Sequence, residues 1–163
     1  MRGAIERHVA QASQLIIWLL LRFLFFFFGR LEVRGWGMIQ QIPSRSFIVI
    51  ANHASFFDPF LISHLFPLST KSFPFRYPAF PSHYYSWKRF FMWMLGSYPV
   101  YKYEGLEKSL HKSLTILKHQ ERILLFPEGK IKKRGRMRNA RRGVSYLAAH
   151  TGVPILPCFI EGF

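Results

Sequence analysis

FIVIANHASFFDPFLISHLF, residues 47–66, decides how the chain is read. Its first five residues form a continuous apolar, β-branched run, the pattern of a strand buried on both faces. Pro59 then opens an apolar stretch reaching Phe66, which predicts a helix with proline in its first turn, where its missing N–H does no harm. His53 is thus delivered at the carboxyl end of a buried strand, with Asp58 shortly after it. Open α/β sheets carry their ligands at that rim. A neutral imidazole serves as a base near pH 7, and a carboxylate on its second nitrogen fixes the tautomer and stabilises the imidazolium. His53 and Asp58 are therefore a candidate catalytic dyad. The competing reading makes Asp58 a helix N-cap and leaves Asn52 and Ser55 as turn formers.

Outward from this stretch the chain alternates. Residues 86–95 read as a helix that is apolar nearly all round, stopped by Gly96, and residues 98–101 as a short strand. Leu106, Leu110, Leu114 and Leu117 mark an amphipathic helix; residues 122–126 a second buried strand; 140–151 a helix closed by Gly152; and 153–160 the last strand. Val33 and Met38-Ile39 are candidate short strands. Residues 67–82 hold four prolines among aromatics, which argues against a helix or a central strand and for an apolar loop that touches lipid or lines an acyl groove. The expectation is an α/β fold, one layered sheet with flanking helices, preceded by a hydrophobic helix. If strands 47–51 and 122–126 run the same way, His53 and Glu128 share a rim.

The chain has 163 residues, enough for one core, of which 50% are hydrophobic and 18% aromatic, with a formal net charge of +15. So apolar and basic a chain suits an anionic membrane surface, with nucleic acid the weaker alternative. The single cysteine, Cys158, excludes an intrachain disulfide, and no spacing suited to a metal site occurs. Residues 15–28, LIIWLLLRFLFFFF, form the core of an expected membrane anchor over 1–30, with the catalytic-type domain over 31–163. Arg22, Gln11, Ser13 and Gln14 dilute the run, which favours a helix in the interface or one leaflet over a full span. No small-residue cleavage site supports a signal peptide. Arg30 and Arg34 place the domain on the cytoplasmic side by the positive-inside bias.

The string Asn-His-x-Ser-x-x-Asp-Pro, from Asn52 to Pro59, resembles the first signature block of the glycerophospholipid (lysophospholipid) acyltransferases, the family that includes the 1-acyl-sn-glycerol-3-phosphate acyltransferases. Gly96 to Lys102 resembles the second, with Lys102 where arginine is usual. Phe126-Pro127-Glu128-Gly129 resembles the third, and Val153-Pro154-Ile155-Leu156-Pro157 the fourth. Two departures stand out. Many members continue the third block with Thr-Arg-Ser, whereas this chain reads Lys130-Ile131-Lys132. Members also ordinarily extend well beyond the fourth block, so the chain reads as a fragment or a minimal domain lacking the usual C-terminal part.

The resemblance implies an O-acyltransferase moving an acyl group from acyl-CoA or acyl-carrier protein to a lysophospholipid hydroxyl, with lysophosphatidic acid the leading acceptor. His53 would be the base and Asp58 its partner. Lys102, Glu128, Gly129, Lys130, Lys132 and Lys133 would bind the acceptor, and Asn52, Ser55, Phe126, Pro127, Pro154 and Pro157 would support the site. Neither a metal nor a cofactor is implied, and the thioester donor is a substrate. Backbone N–H groups near Gly129 or after His53 are candidates for the oxyanion, Ser55 is a second candidate nucleophile, and Cys158 reads as a buried hydrophobe. Glycerol 3-phosphate or another lysolipid is the alternative acceptor. A different class of reading is a non-catalytic membrane-surface or nucleic-acid-binding domain. It rests on residues 130–142, eight of which are basic, whose far end (Arg138, Arg141, Arg142) is expected to meet anionic lipid. His8, His64, His83, His111, His119 and His150 share no spacing with a carboxylate set.

Overall fold

Alternate side chains of the 47–51 run point into two different cores, which is why the run is apolar throughout. Phe47, Val49 and Ala51 join Ile62, Phe66, Phe75 and Leu124 on one side, and Ile48 joins Tyr98, Leu110, Ile123 and Leu147 on the other. A computed structural model describes residues 2–29, 31–42, 46–67, 73–84, 87–101, 105–131 and 139–161. Strands β1 (Ile48–Ala51), β2 (Phe75–Ala79), β3 (Ser97–Pro99), β4 (Arg122–Leu125) and β5 (Ile155–Cys158) pair in parallel in the order β3-β2-β4-β1-β5. Helices α1 (Arg2–Phe28) and α3 (Asp58–His64) supply Leu15, Trp18 and Ile62 to the first core; α5 (Gly105–Lys118) and α6 (Gly143–Thr151) supply Leu110, Ile116, Leu117 and Leu147 to the second. The expected layered α/β sheet is what forms, and β1 and β4 run the same way.

Two local expectations are corrected. Met38-Ile39 is not a strand but lies in a short helix, α2 (Trp36–Gln40), and Val33 lies in no regular element. Gly35 sits in the left-handed region (φ 79°), and its carbonyl accepts from Met38 N, which turns the chain into a helix start. The proline-rich 67–82 segment does contain a strand, and an inner one: β2 lies between β3 and β4. Pro78 is tolerated there because β2 pairs with β4 only through Phe75 and Arg76, while Tyr77 N and Ala79 O bond toward β3. In a parallel strand alternate residues present both backbone groups to the same side. The donor missing at Pro78 therefore falls beyond the end of the β4 ladder.

The polar residues that dilute the anchor run turn out to dock it. Ala10, Gln14 and Trp18 repeat at helical spacing and form the face of α1 that meets the domain. Gln14, nearly fully buried, accepts from Phe75 N at 2.8 Å and donates to Phe75 O at 2.7 Å and Leu95 O at 2.8 Å. Ser13 Oγ donates to Met94 O of α4 (Lys88–Met94) at 2.6 Å, and Trp18 Nε1 to Phe66 O at 3.0 Å. The helix thus closes the exposed side of β2 next to short β3. Gly96 (φ 82°) is required at this contact, since a Cβ there would come within 2.8 Å of Phe75 O and of the Gln14 amide. At the amino end of the strands, Arg76 lies between Glu6 of α1 (3.6 Å) and Glu121 (3.7 Å). Arg22 lies over the Trp18 ring, and burial, aided by the Arg22 charge, holds His64 below the ordinary histidine range.

Candidate active site

The site grows from the register of β1 against β4. Ile50 pairs with Leu125, and continuing that offset past both strand ends brings His53 level with Glu128. The contact is made: His53 N donates to Glu128 Oε1 at 3.4 Å. Phe126, the first residue after β4, stacks flat on the His53 ring with centroids 3.9 Å apart and planes inclined 12°. Residues 126–129 close in a turn held by Gly129 N to Phe126 O at 2.9 Å, and Gly129 takes φ 67°, a backbone conformation suited to glycine.

Asp58 is fully buried and Oδ2 carries its known contacts. It accepts from His53 Nδ1 at 2.8 Å, Ala54 N at 2.6 Å and Ser55 N at 2.8 Å. The capping alternative does not describe this carboxylate. Phe57 occupies the N-cap position without a side-chain cap bond, and Asp58 is the first residue of α3 itself. Its bonds run backwards, tying the 53–55 turn and the imidazole together. With Nδ1 engaged as donor, the neutral ring leaves Nε2 as the basic nitrogen.

His53 stands in the wall of a cavity of about 610 Å³, within the usual range of small-molecule sites, roughly 300–1,000 Å³. The lining is predominantly apolar, with Tyr77, Met92, Leu95, Val100 and Leu124 among it. Residues 77–80 contribute, so part of the proline-rich segment does line a groove. Cations reach it at Lys130, Arg141 and Arg142.

The supporting residues divide by task. Asn52 clips the end of β1 to the chain after β5: its Nδ2 donates to Ile160 O at 2.9 Å, and its Oδ1 accepts from Ile160 N at 2.7 Å. Ser55 Oγ accepts from Phe57 N at 3.2 Å, which shapes the turn. Pro154 O accepts from Ile48 N, so by alternation the donor missing at Pro157 faces the open edge of β5. Burial pushes the Cys158 thiol up to about 11, which keeps it protonated and unsuited to nucleophilic attack.

Among the expected acceptor-binding residues, Glu128, Gly129 and Lys130 come to the His53 rim, Glu128 buried and Lys130 exposed. Lys102, Lys132 and Lys133 lie outside the described residues, as does Arg138. The backbone donors considered for the oxyanion at residues 53, 54, 55 and 129 are already committed to Glu128, Asp58 and Phe126. One residue was assigned elsewhere by sequence reasoning. Arg141, expected at the lipid end of the basic run, sits against Gly129 instead. Only its membership of that run singled it out.

The acyltransferase family model matches residues 30–161, well over half of the chain. The chain belongs to the acyltransferase family. Two curated relatives agree. A chloroplastic 1-acyl-sn-glycerol-3-phosphate acyltransferase of Arabidopsis thaliana is 27% identical over 141 residues, covering 83% of this chain and 37% of its own length. Its counterpart in Brassica napus is 25% identical over 142 residues, covering 83% and 38%. This acyltransferase chain thus spans little more than a third of the curated relatives it matches. No solved structure matches it. Within the acyltransferase chain, the family match embraces β1 through β5 and the whole His53–Asp58–Glu128 constellation, with all of α1 lying before it.

Proposed function

We propose that this acyltransferase moves an acyl group from a thioester, acyl-CoA or acyl-carrier protein, to the free hydroxyl of a lysophospholipid, with lysophosphatidic acid yielding phosphatidic acid as the leading reaction. One observation carries the reading: a carboxylate-held imidazole stands in the wall of a largely apolar cavity. The acceptor hydroxyl attacks the thioester carbonyl as its proton passes to His53 Nε2. The C–S bond of the tetrahedral intermediate then breaks, the ester remains, and the departing thiolate takes the proton from the imidazolium. Asp58 stabilises that imidazolium. No acyl-enzyme is needed, and the protonated Cys158 thiol is not disposed to form one. The apolar lining receives the fatty acyl chain.

We place the reaction at the cytoplasmic face of a membrane. Helix α1 is long and apolar enough to cross one by length and composition. Its face through Ala10, Gln14 and Trp18 is nevertheless occupied by the domain. Beyond Trp18 the helix exposes Leu19, Leu20, Phe23, Phe26, Phe27 and Phe28, the last at 82%. That segment rises about 15 Å at 1.5 Å per residue, half of a roughly 30 Å hydrocarbon core, which supports insertion into one leaflet. Trp87 at the N-cap and Phe90 and Phe91 within α4 add exposed aromatics, and α4 packs against α1.

Asp58→Asn is expected to lower kcat by roughly 10²-fold or more, because the imidazolium loses its counter-charge and its fixed tautomer. An asparagine oxygen can still accept from Ala54 and Ser55, so the unfolding temperature should move little. Parallel turnover and thermal unfolding measurements check both halves. The acceptor is tested by offering acyl-CoA with lysophosphatidic acid, glycerol 3-phosphate and other lysolipids, and weighing the products. Phosphatidic acid should dominate; a preference for glycerol 3-phosphate would shift the assignment to that acceptor.

A further inference from the structure

Beyond the dyad, the cavity rim carries a cation that enters no ion pair among the described residues. Arg141 belongs to the basic run, yet its backbone N–H donates to Pro127 O at 3.0 Å, which fastens it to the turn after β4. Its side chain lies over Gly129: a Cβ there would meet Arg141 Nε at 3.0 Å, Cδ at 3.3 Å and Cζ at 3.5 Å. The guanidinium is exposed and enters no ion pair among the described residues, in contrast to Arg7, Arg34 and Arg76. His53, Glu128, Gly129 and Arg141 therefore form a contiguous series, from the basic nitrogen's ring to a planar cation on the same cavity.

We infer that Arg141 is the acceptor's phosphate-binding residue, and that it sets the preference for a phosphate-bearing lysolipid. The inference rests on the acyl-transfer reading and deepens it. A guanidinium offers paired donors that match two phosphate oxygens, and it keeps its charge at any working pH. Both substrates bring phosphate, so proximity decides between them. In a glycerol phosphate the phosphate is a few bonds from the reacting hydroxyl and must lie near the imidazole. In acyl-CoA the long pantetheine arm separates the phosphates from the thioester. A cation one residue contact from Glu128 suits the acceptor. The glycine at position 129 leaves the space that the guanidinium occupies.

The test uses the full chain in phosphatidylcholine vesicles, comparing wild type, Arg141→Gln, Arg141→Lys and, as a distant exposed control, Lys118→Gln. Arg141→Gln should raise KM for lysophosphatidic acid by about tenfold, the worth of a charge-assisted contact. KM for acyl-CoA and turnover of monoacylglycerol, which lacks the phosphate, should stay within about twofold. Arg141→Lys, with charge but no fork, should fall between wild type and Arg141→Gln, and Lys118→Gln should match wild type. A raised KM for acyl-CoA with unchanged acceptor KM would give Arg141 to the donor and overturn the inference. Unchanged acceptor KM throughout, or unfolding of Arg141→Gln, would also overturn it, since an exposed ligand-binding arginine carries no core packing. Absence of turnover in wild type would remove the acyl-transfer reading itself, and the inference with it.

Discussion

His53→Ala is expected to reduce acyl transfer by roughly 10²–10⁴-fold, the usual contribution of a positioned general base. His53 is held at three points: Asp58 accepts from Nδ1, Phe126 stacks against the ring face, and Glu128 Oε1 accepts from the His53 backbone N–H. Alanine keeps that last bond, and Asp58 keeps those from Ala54 and Ser55, so the turn should persist. Folding and vesicle binding should match wild type, with the loss confined to kcat. Circular dichroism and vesicle flotation beside initial rates check this. Substantial activity in His53→Ala would mean that another group takes the proton.

The largest stability effect is expected far from the chemistry, at Gln14→Leu. Leucine keeps the bulk but leaves Phe75 N–H, Phe75 C=O and Leu95 C=O without the partner they now share. Each buried orphaned group costs roughly 1–3 kcal/mol, so the variant should lose about 3 kcal/mol or more of a domain stability of roughly 5–15 kcal/mol. Ser13→Ala, which removes one part-buried bond to Met94 O, should cost about 1 kcal/mol. Denaturant unfolding in detergent measures both. Equal stability of Gln14→Leu and wild type would mean that α1 does not close the sheet in solution. The docked helix bears equally on the membrane: residues that hydrogen-bond the sheet cannot at the same time sit in hydrocarbon.

What could be read from the residues follows from how local the physics is. Strands β1 and β4 announce themselves because burial on both faces makes every position apolar, and their shared offset then places Glu128 beside His53. The dyad is legible because His53 and Asp58 lie within one turn of chain. β2 was not, because a proline is prohibitive only where its missing donor faces a paired neighbour, and sequence does not say where the β4 ladder ends. In the sequence Gln14 merely dilutes an apolar helix, since a glutamine that caps a sheet and one that meets water look alike in a string. Arg141 was displaced for a similar reason. Its position depends on how the chain returns to Pro127, a closure that no spacing rule encodes.

The central claim is thioester-to-hydroxyl transfer by His53, and its most direct test counts both products at once. The full chain in vesicles is mixed with acyl-CoA with and without lysophosphatidic acid, and free CoA thiol and diacylated lipid are measured together, the latter by mass. The account predicts equimolar thiol and ester that appear together, require the lysolipid, and vanish in His53→Ala. Thiol release that proceeds without the lysolipid and yields free fatty acid, or ester formation that survives His53→Ala, would contradict it.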